Sequence, residues 1–213
     1  MTGDPDENQL WQTAQALNRA AAAVSPGVVS LPPLLFFTDP DRTPRPWEVA
    51  ARLPRGAGVV YRGFGRPGMA DEARELRRVT TSRGARLLIG QDADLAEAIE
   101  ADGLHLPERD LGRASALRAR HPEWVLTAAL HGDASVGLSA LDALILSPVF
   151  RAGGSSADRA PLGTAEVTRR VARLPLPVYG LGGITAETAP ALADTGLCGL
   201  AAIDGVVKAF GAG

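Results

Sequence analysis

The sequence predicts an α/β fold, a (β/α)8 TIM barrel with an extra N-terminal helix. From residue 34 onward, short apolar runs alternate with helical stretches eight times. Eight such units in a chain of 213 residues favour a closed barrel of parallel strands over an open sheet. An open doubly wound sheet would carry a glycine-rich fingerprint after its first strand, where this chain has Thr38-Asp39-Pro40-Asp41. We therefore expect a helix and linker over residues 1–30 and a barrel over residues 31–213.

The elements follow from hydrophobic periodicity. Residues 7–23 carry apolar side chains at close to a helical period, which predicts an amphipathic helix outside the repeat, and residues 26–33 are expected to be a linker. The apolar runs predict strands at 34–37, 59–62, 86–89, 103–106, 124–128, 143–146, 178–180 and 199–202. Helices are predicted at 46–52, 70–82, 93–101, 112–120, 134–140, 164–172, 186–194 and from residue 205 onward.

Composition excludes several function classes. The net charge is -2 with both signs scattered, so no nucleic-acid footprint and no patch for an anionic membrane is expected. The acidic N-terminus is unlike a signal peptide, no apolar run approaches the roughly 20 residues of a membrane span, and Cys198 stands alone. These features predict a cytoplasmic protein with a small-molecule partner. The oligomeric state is left open, with a homodimer as one alternative.

In a barrel of this kind the active site lies in the loops after the strands. Gly180, Gly182 and Gly183 follow the seventh run and precede Thr185, a potential helix cap, which predicts a phosphate site at a helix N-terminus. The alternative is that this turn needs glycine for steric reasons alone. The sixth loop, residues 147–162, is long and rich in Gly and Ser, and is expected either to cover a ligand or to be a surface excursion.

Four motifs lie at these strand ends: ADGLHL at 101–106, SPVF at 147–150, GLGGIT at 180–185 and GLAAIDGV at 199–206. Together and in this order, they resemble thiamine phosphate synthases and TenI-type thiazole tautomerases. The resemblance implies a site for a thiazole phosphate, with Ser147 and Phe150 contacting the substrate. It also implies a phosphate held by the last two loops and, in the synthases, a pyrimidine pyrophosphate bound with Mg²⁺. The phosphate-binding residues would be Gly182, Gly183, Ile203 and Asp204.

The chain departs from the synthase pattern. Of the Gln, Arg and Lys that synthases place after strand 2, only Arg62 remains, and the Asn-Asp pair after strand 3 matches Gly90 and Gln91. Asp110 matches the second metal carboxylate, and Asp92 could join it only if its loop shifts by one residue. One carboxylate is few for Mg²⁺, so the synthase activity is the less favoured interpretation.

The tautomerase interpretation fits these losses better. The histidine that TenI-type proteins place after strand 5 matches His131, and an imidazole can remove and return a proton without a metal or other cofactor. An exposed bystander is the alternative for His131, and His105 is expected to be a satisfied core residue. A sole lysine near the C-terminus, Lys208, argues against a Schiff-base aldolase. A barrel that binds a ligand or partner without catalysis is the remaining hypothesis.

Two charged residues complete the predicted mouth. Arg62 is expected to bind an anionic group, with an ion pair to Asp39 or Asp110 as an equal alternative. Asp39 is expected either to accept a hydrogen bond from a substrate amine or to cap its own turn. Asp204 replaces a small hydroxyl residue of the family, and its carboxylate would repel a phosphate unless it points away.

Overall fold

The computed structural model describes residues 5–132, 138–154 and 158–211. Eight parallel strands pair in sequence order, and the last pairs with the first, so the sheet closes into a barrel. This confirms the predicted fold, and each predicted strand agrees with the observed one to within two residues. The strands are β1 (Leu34–Phe37), β2 (Gly58–Tyr61), β3 (Arg86–Gly90), β4 (Gly103–Leu106), β5 (Val125–Leu130), β6 (Ala143–Leu146), β7 (Val178–Leu181) and β8 (Gly199–Ala202).

Helices surround the strands, but several are shorter than predicted. The α-helices are α1 (Pro5–Ala22), α2 (Pro46–Ala50), α3 (Met69–Arg83), α4 (Ala93–Ala98), α5 (Ala114–Arg120), α6 (Gly163–Val171) and α7 (Asp204–Phe210). Short 3-10 segments lie at Pro26–Ser30, Glu108–Arg113, Leu138–Ala140 and Ala189–Leu192. The helix predicted at 186–194 is thus wrong, because Pro190 has no N–H and its ring obstructs the preceding helical turn. Most of the helix predicted at 134–140 lies outside the described residues.

Alternate side chains of each strand separate two hydrophobic cores. Side chains that point into the barrel include Leu35, Phe37, Val60, Leu88, Ile145, Tyr179 and Ala201. Their neighbours along the strands face the surrounding helices and form a larger outer core. Burial on both faces explains why the strands appear in the sequence as continuous apolar runs.

The N-terminal segment closes the end of the barrel opposite the strand C-termini. The predicted linker contains the 3-10 segment Pro26–Ser30, and Val28 and Leu31 join the inner core. Asn18 of α1 donates hydrogen bonds from Nδ2 to the carbonyls of Cys198 at 3.2 Å and Leu31 at 3.4 Å, just before β8 and β1. Within the described part of the chain, no helix combines the length and apolar character needed to cross a bilayer.

Candidate functional site

A cavity of about 280 Å³ opens at the C-terminal ends of the strands. Its wall comes from the loops after β1, β2, β6, β7 and β8 and contains the four residues predicted to bind phosphate. The lining includes Arg42, Arg62, Arg151, Gly182, Gly183, Ile203 and Asp204. Three guanidinium groups therefore face one small space, which favours an anionic ligand.

Unpaired backbone donors lie in the same wall. Among the described residues, the N–H groups of Gly183, Ile184, Asp204 and Gly205 donate no hydrogen bond. The last two belong to the first turn of α7, where no intrahelical acceptor exists. The other two belong to the glycine turn after β7. The helix predicted to begin there is absent, and the first regular element after the turn is the 3-10 segment Ala189–Leu192. The expected helix N-terminus after β7 is thus replaced by a turn with free amides.

Arg42 bridges the loops after β1 and β8. Its Nη1 donates a hydrogen bond to Oδ2 of Asp204 at 2.8 Å, and its Nη2 lies 3.3 Å from Oδ2 of Asp39. The Asp204 carboxylate is therefore held by a cation, with 64% of its side chain exposed. The repulsion expected between Asp204 and a bound phosphate is reduced by this pairing.

Arg62 is held at the mouth of the barrel by its neighbours. Its Nε donates to the carbonyl of Thr38 at 2.7 Å, and its Nη2 lies 3.7 Å from Oδ2 of Asp39. The guanidinium carbon lies 5.5 Å from the ring centres of both Phe37 and Phe64. Burial lowers the pKa of Arg62 from its very high ordinary value. The Nη2 atom is buried and has no hydrogen-bond partner among the described residues, so it can donate a hydrogen bond to a ligand.

Asp39 is already used by the protein. Its Oδ1 accepts the backbone N–H groups of Asp41 at 3.2 Å and Arg42 at 3.3 Å, which caps the turn after β1. Burial raises the pKa of Asp39, but the hydrogen bond and charge of Arg42 outweigh it, so the pKa is lowered overall. The carboxylate therefore positions the two arginines. The ion pair predicted between Arg62 and Asp39 is present, whereas Asp110 lies 3.8 Å from Arg113.

Gly183 allows the sixth loop to approach the turn after β7. Its φ is 65°, and a Cβ there would lie 2.7 Å from Cβ of Phe150 and would also overlap the carbonyl of Arg151. The loop is fixed by a hydrogen bond from the Phe150 N–H to the Gly182 carbonyl at 3.0 Å. Phe150 and Ser147, the predicted substrate contacts, stand beside this cavity and are not part of its wall. Residues 155–157 of the loop lie outside the described residues.

His131 lies directly after β5 and is exposed. Its backbone is held from two sides, because its N–H donates to Oε2 of Glu108 at 2.8 Å and its carbonyl accepts from Nη1 of Arg170 at 3.1 Å. Its Nδ1 lies 2.9 Å from Nη1 of Arg159 in the sixth loop. The same Nη1 atom also lies 3.2 Å from Nε2 of His131. His131 does not line the cavity.

His105 is a core residue, as the sequence predicted. The ring packs edge-on against Phe37 with centroids 5.0 Å apart, and Nδ1 lies 3.0 Å from Oγ1 of Thr127. Burial, followed by the charges of Arg62 and His131, lowers the pKa of His105 to about 3. The imidazole is therefore neutral at physiological pH.

The carboxylates predicted to hold a metal do not converge. Asp92 accepts the Leu95 N–H at 2.9 Å as the cap of α4, and Asp110 faces Arg113. In residues 5–132, 138–154 and 158–211, no three His, Cys, Asp or Glu side chains gather closely enough to hold a metal ion. Mg²⁺ needs oxygen ligands in near-octahedral geometry, so these residues do not fit it.

A second cavity of about 340 Å³ lies between the loops after β2, β3 and β4. It shares only Arg62 with the first cavity. Its other lining residues are Phe64, Gly65, Met69, Gly90, Gln91, Asp92 and Arg109. Two cavities therefore meet at one guanidinium group at the mouth of the barrel.

Comparison with known proteins identifies the family. The model of the TMP-TENI family, described as thiamine monophosphate synthase, matches residues 48–206. The chain belongs to the thiamine phosphate synthase/TenI family. A thiamine-phosphate synthase of Azoarcus sp. is 38% identical over 154 residues, which cover 65% of this chain and 69% of that relative. One from Chlorobium luteolum is 29% identical over 185 residues, 84% of this chain and 86% of that relative.

A solved structure of this family has the same fold. The thiamine phosphate pyrophosphorylase from Pyrococcus furiosus superposes with a TM-score of 0.69, covering 84% of this chain and 91% of the other, at 23% identity. The motifs that indicated the family from the sequence therefore did so correctly.

Sequence reasoning missed several residues of the mouth. Arg42, Arg151, Glu108, Arg109 and Arg159 all lie in loops after strands, but no motif marks them. Arg42 could have been found from its place three residues after Asp39 in the first loop. The others required the folded chain, because their partners are distant in sequence.

Proposed function

We propose that this protein is an enzyme of thiamine biosynthesis that acts on a thiazole phosphate bound in the first cavity. The observation that carries the proposal is the coincidence of unpaired amides at Gly183, Asp204 and Gly205 with the guanidinium groups that line the same space. Backbone donors and arginines together are well suited to the oxygens of a phosphate ester. Family membership supports a thiazole as the group attached to that phosphate.

The reaction that we favour is tautomerisation of the thiazole ring. It needs one substrate, one proton carrier and no metal, and it leaves the atom count of the substrate unchanged. A base removes a proton from one ring position, and the same group returns a proton to another. His131 is the candidate base, because an imidazole can remove and return a proton and this one lies directly after β5, at the end of the strands where the cavity opens. Its rigidly held backbone and exposed side chain would let the imidazole turn toward a ligand.

Synthesis of thiamine phosphate from two precursors is the second candidate. The observation in its favour is the second cavity, which adjoins the first at Arg62 and leaves room for a second anionic substrate. The names of the relatives also favour it. Against it stands the poor fit of the carboxylates to Mg²⁺, so we derive no step that uses a metal.

Two assays on the purified protein separate these reactions. One follows conversion of the thiazole phosphate tautomer by NMR, and the other follows thiamine phosphate formation from both precursors with Mg²⁺. We expect tautomer conversion, with at least a hundredfold lower kcat in His131→Ala and full kcat in His121→Ala, a matched change at a histidine stacked on Trp124 far from the mouth.

The outcomes assign the function. Full kcat in His131→Ala would remove His131 as the proton carrier. Thiamine phosphate formation without tautomer conversion would establish the second candidate. If neither product forms but calorimetry detects thiazole phosphate binding, the chain is a binding protein, and if no binding is detected the whole proposal fails.

A further inference from the structure

The second cavity contains a cation that the family resemblance does not account for. Arg109 lies in the 3-10 segment Glu108–Arg113 after β4, and its Nη2 donates to Oε1 of Gln91 at 2.7 Å. Gln91 follows β3 with a φ of 68°, a left-handed conformation that is uncommon outside glycine. Its backbone is fixed in turn, because its N–H donates to the His105 carbonyl at 2.9 Å. The two loops therefore hold Arg109 in a defined place on the cavity wall.

The identity of residue 91 decides the charge of this wall. A carboxylate at this position would form an ion pair with Arg109 and cancel its charge. The amide of Gln91 accepts the same hydrogen bond but carries no charge, so it orients the guanidinium without neutralising it. Arg62 supplies a second positive charge, and its nearest carboxylate is 3.7 Å away at Asp39. Of the residues that the structure describes, Asp92 is the one acid in this wall, and it caps α4.

Two acids of the neighbouring 3-10 segment are paired elsewhere, and the first of them, Glu108, accepts the backbone N–H of His131. Asp110 adjoins Arg109 in sequence, but its carboxylate faces Arg113 at 3.8 Å. The cavity thus presents two guanidinium groups, a neutral amide and a single capped carboxylate. A divalent cation would be repelled by this set, whereas a phosphate or diphosphate group would find two fork-shaped donors.

We propose that the second cavity binds a phosphate or diphosphate group without a divalent metal, using Arg109 oriented by Gln91 together with Arg62. Arg109 and Gln91 thus take over the role that a metal and its carboxylates would otherwise have in holding such an anion. The inference does not depend on the thiazole phosphate site, since the two cavities share only Arg62.

Inorganic pyrophosphate is the probe, and calorimetric titration in EDTA is the measurement. We expect binding by the wild-type protein in EDTA, and about a tenfold or larger loss of affinity in Arg109→Gln. Gln91→Glu should lose affinity to a similar degree, because the new carboxylate pairs with Arg109. Arg74→Gln is the control: it removes an exposed guanidinium of α3 that pairs with Asp71 and does not line the cavity, and its affinity should equal that of the wild type.

Three results would overturn the inference. The first is pyrophosphate binding that occurs with Mg²⁺ and is absent in EDTA. The second is unchanged affinity in Arg109→Gln, with circular dichroism confirming that the variant is folded. The third is a loss confined to Arg151→Gln, which would place the anion in the first cavity and would support the thiazole phosphate site while excluding this one.

Discussion

Nη1 of Arg42 lies 2.8 Å from Oδ2 of Asp204. A side chain of the loop after β1 therefore holds a carboxylate of the loop after β8, beside the unpaired amides of that loop. The pair has two effects on an incoming phosphate. It turns the negative charge of Asp204 toward a cation, and it also occupies one face of Arg42. We expect the affinity for phosphate to depend on the balance of these effects.

Replacing Asp204 with Asn should strengthen phosphate binding. The substitution removes a negative charge close to the anion and frees Arg42, and a charge at about 4 Å in water contributes about 1 kcal/mol, or roughly fivefold in affinity. Arg42→Gln should weaken binding by about tenfold, because a charge-assisted hydrogen bond is lost. Calorimetry with thiazole phosphate measures both. Arg45→Gln, at an exposed arginine paired with Glu48, is the control, and weaker binding by Asp204→Asn would contradict this account.

Replacing Gly183 with Ala should destabilise the protein. A methyl group at this φ would be strained and would collide with Phe150 and the Arg151 carbonyl, so we expect a loss of about 1–3 kcal/mol in the free energy of unfolding. Urea denaturation measures it. Gly153→Ala is the matched control in the same loop, because nothing lies within 4 Å of its added Cβ. Equal stability of the two variants would show that the sixth loop does not pack tightly against the turn after β7.

Arg62→Gln should weaken anion binding in both cavities. Arg62 lines both, whereas Arg42 lines only the first and Arg109 only the second. In calorimetric titrations, thiazole phosphate and pyrophosphate should therefore both bind the Arg62 variant more weakly than the wild type. Thiazole phosphate should also bind Arg42→Gln more weakly, and pyrophosphate should bind Arg109→Gln more weakly. Arg62→Lys keeps the charge but loses the Nε contact to the Thr38 carbonyl, so partial recovery is expected. If Arg62→Gln weakened the binding of only one probe, Arg62 would not serve both cavities.

His105 should make the protein less stable at acidic pH. Its pKa in the folded chain is about 3, below the ordinary 6.5, so the unfolded state binds the extra proton between these values. Stability from this group is fully present above pH 6.5 and decreases as the pH falls toward 3, by at most about 1.4 kcal/mol per pH unit. Urea denaturation at several pH values in this range should show that the unfolding free energy of His105→Gln changes less with pH than that of the wild type. An unchanged dependence of the unfolding free energy on pH in His105→Gln would contradict the prediction.

The fold could be predicted from the sequence because buried parallel strands form continuous apolar runs. The helix expected after β7 was wrong because Pro190 lies at its centre, and hydrophobic periodicity alone does not account for a proline. The four positions predicted to bind phosphate came from the glycines after β7 and from the family resemblance, and the structure places all four around one cavity. Arg109 and the contact between Arg42 and Asp204 were missed, because they depend on partners in other loops that are distant in sequence.

The pairing of β1 with β8 gives the chain an order of assembly. β1 borders β2 on one side and β8 on the other, so it remains an open edge until residue 202 has been synthesised. An unpaired apolar edge is a site of misassociation in a nascent chain. The barrel therefore closes last, and Asn18 and Arg42, which join the two sides of this seam, make these contacts only after β8 has been synthesised.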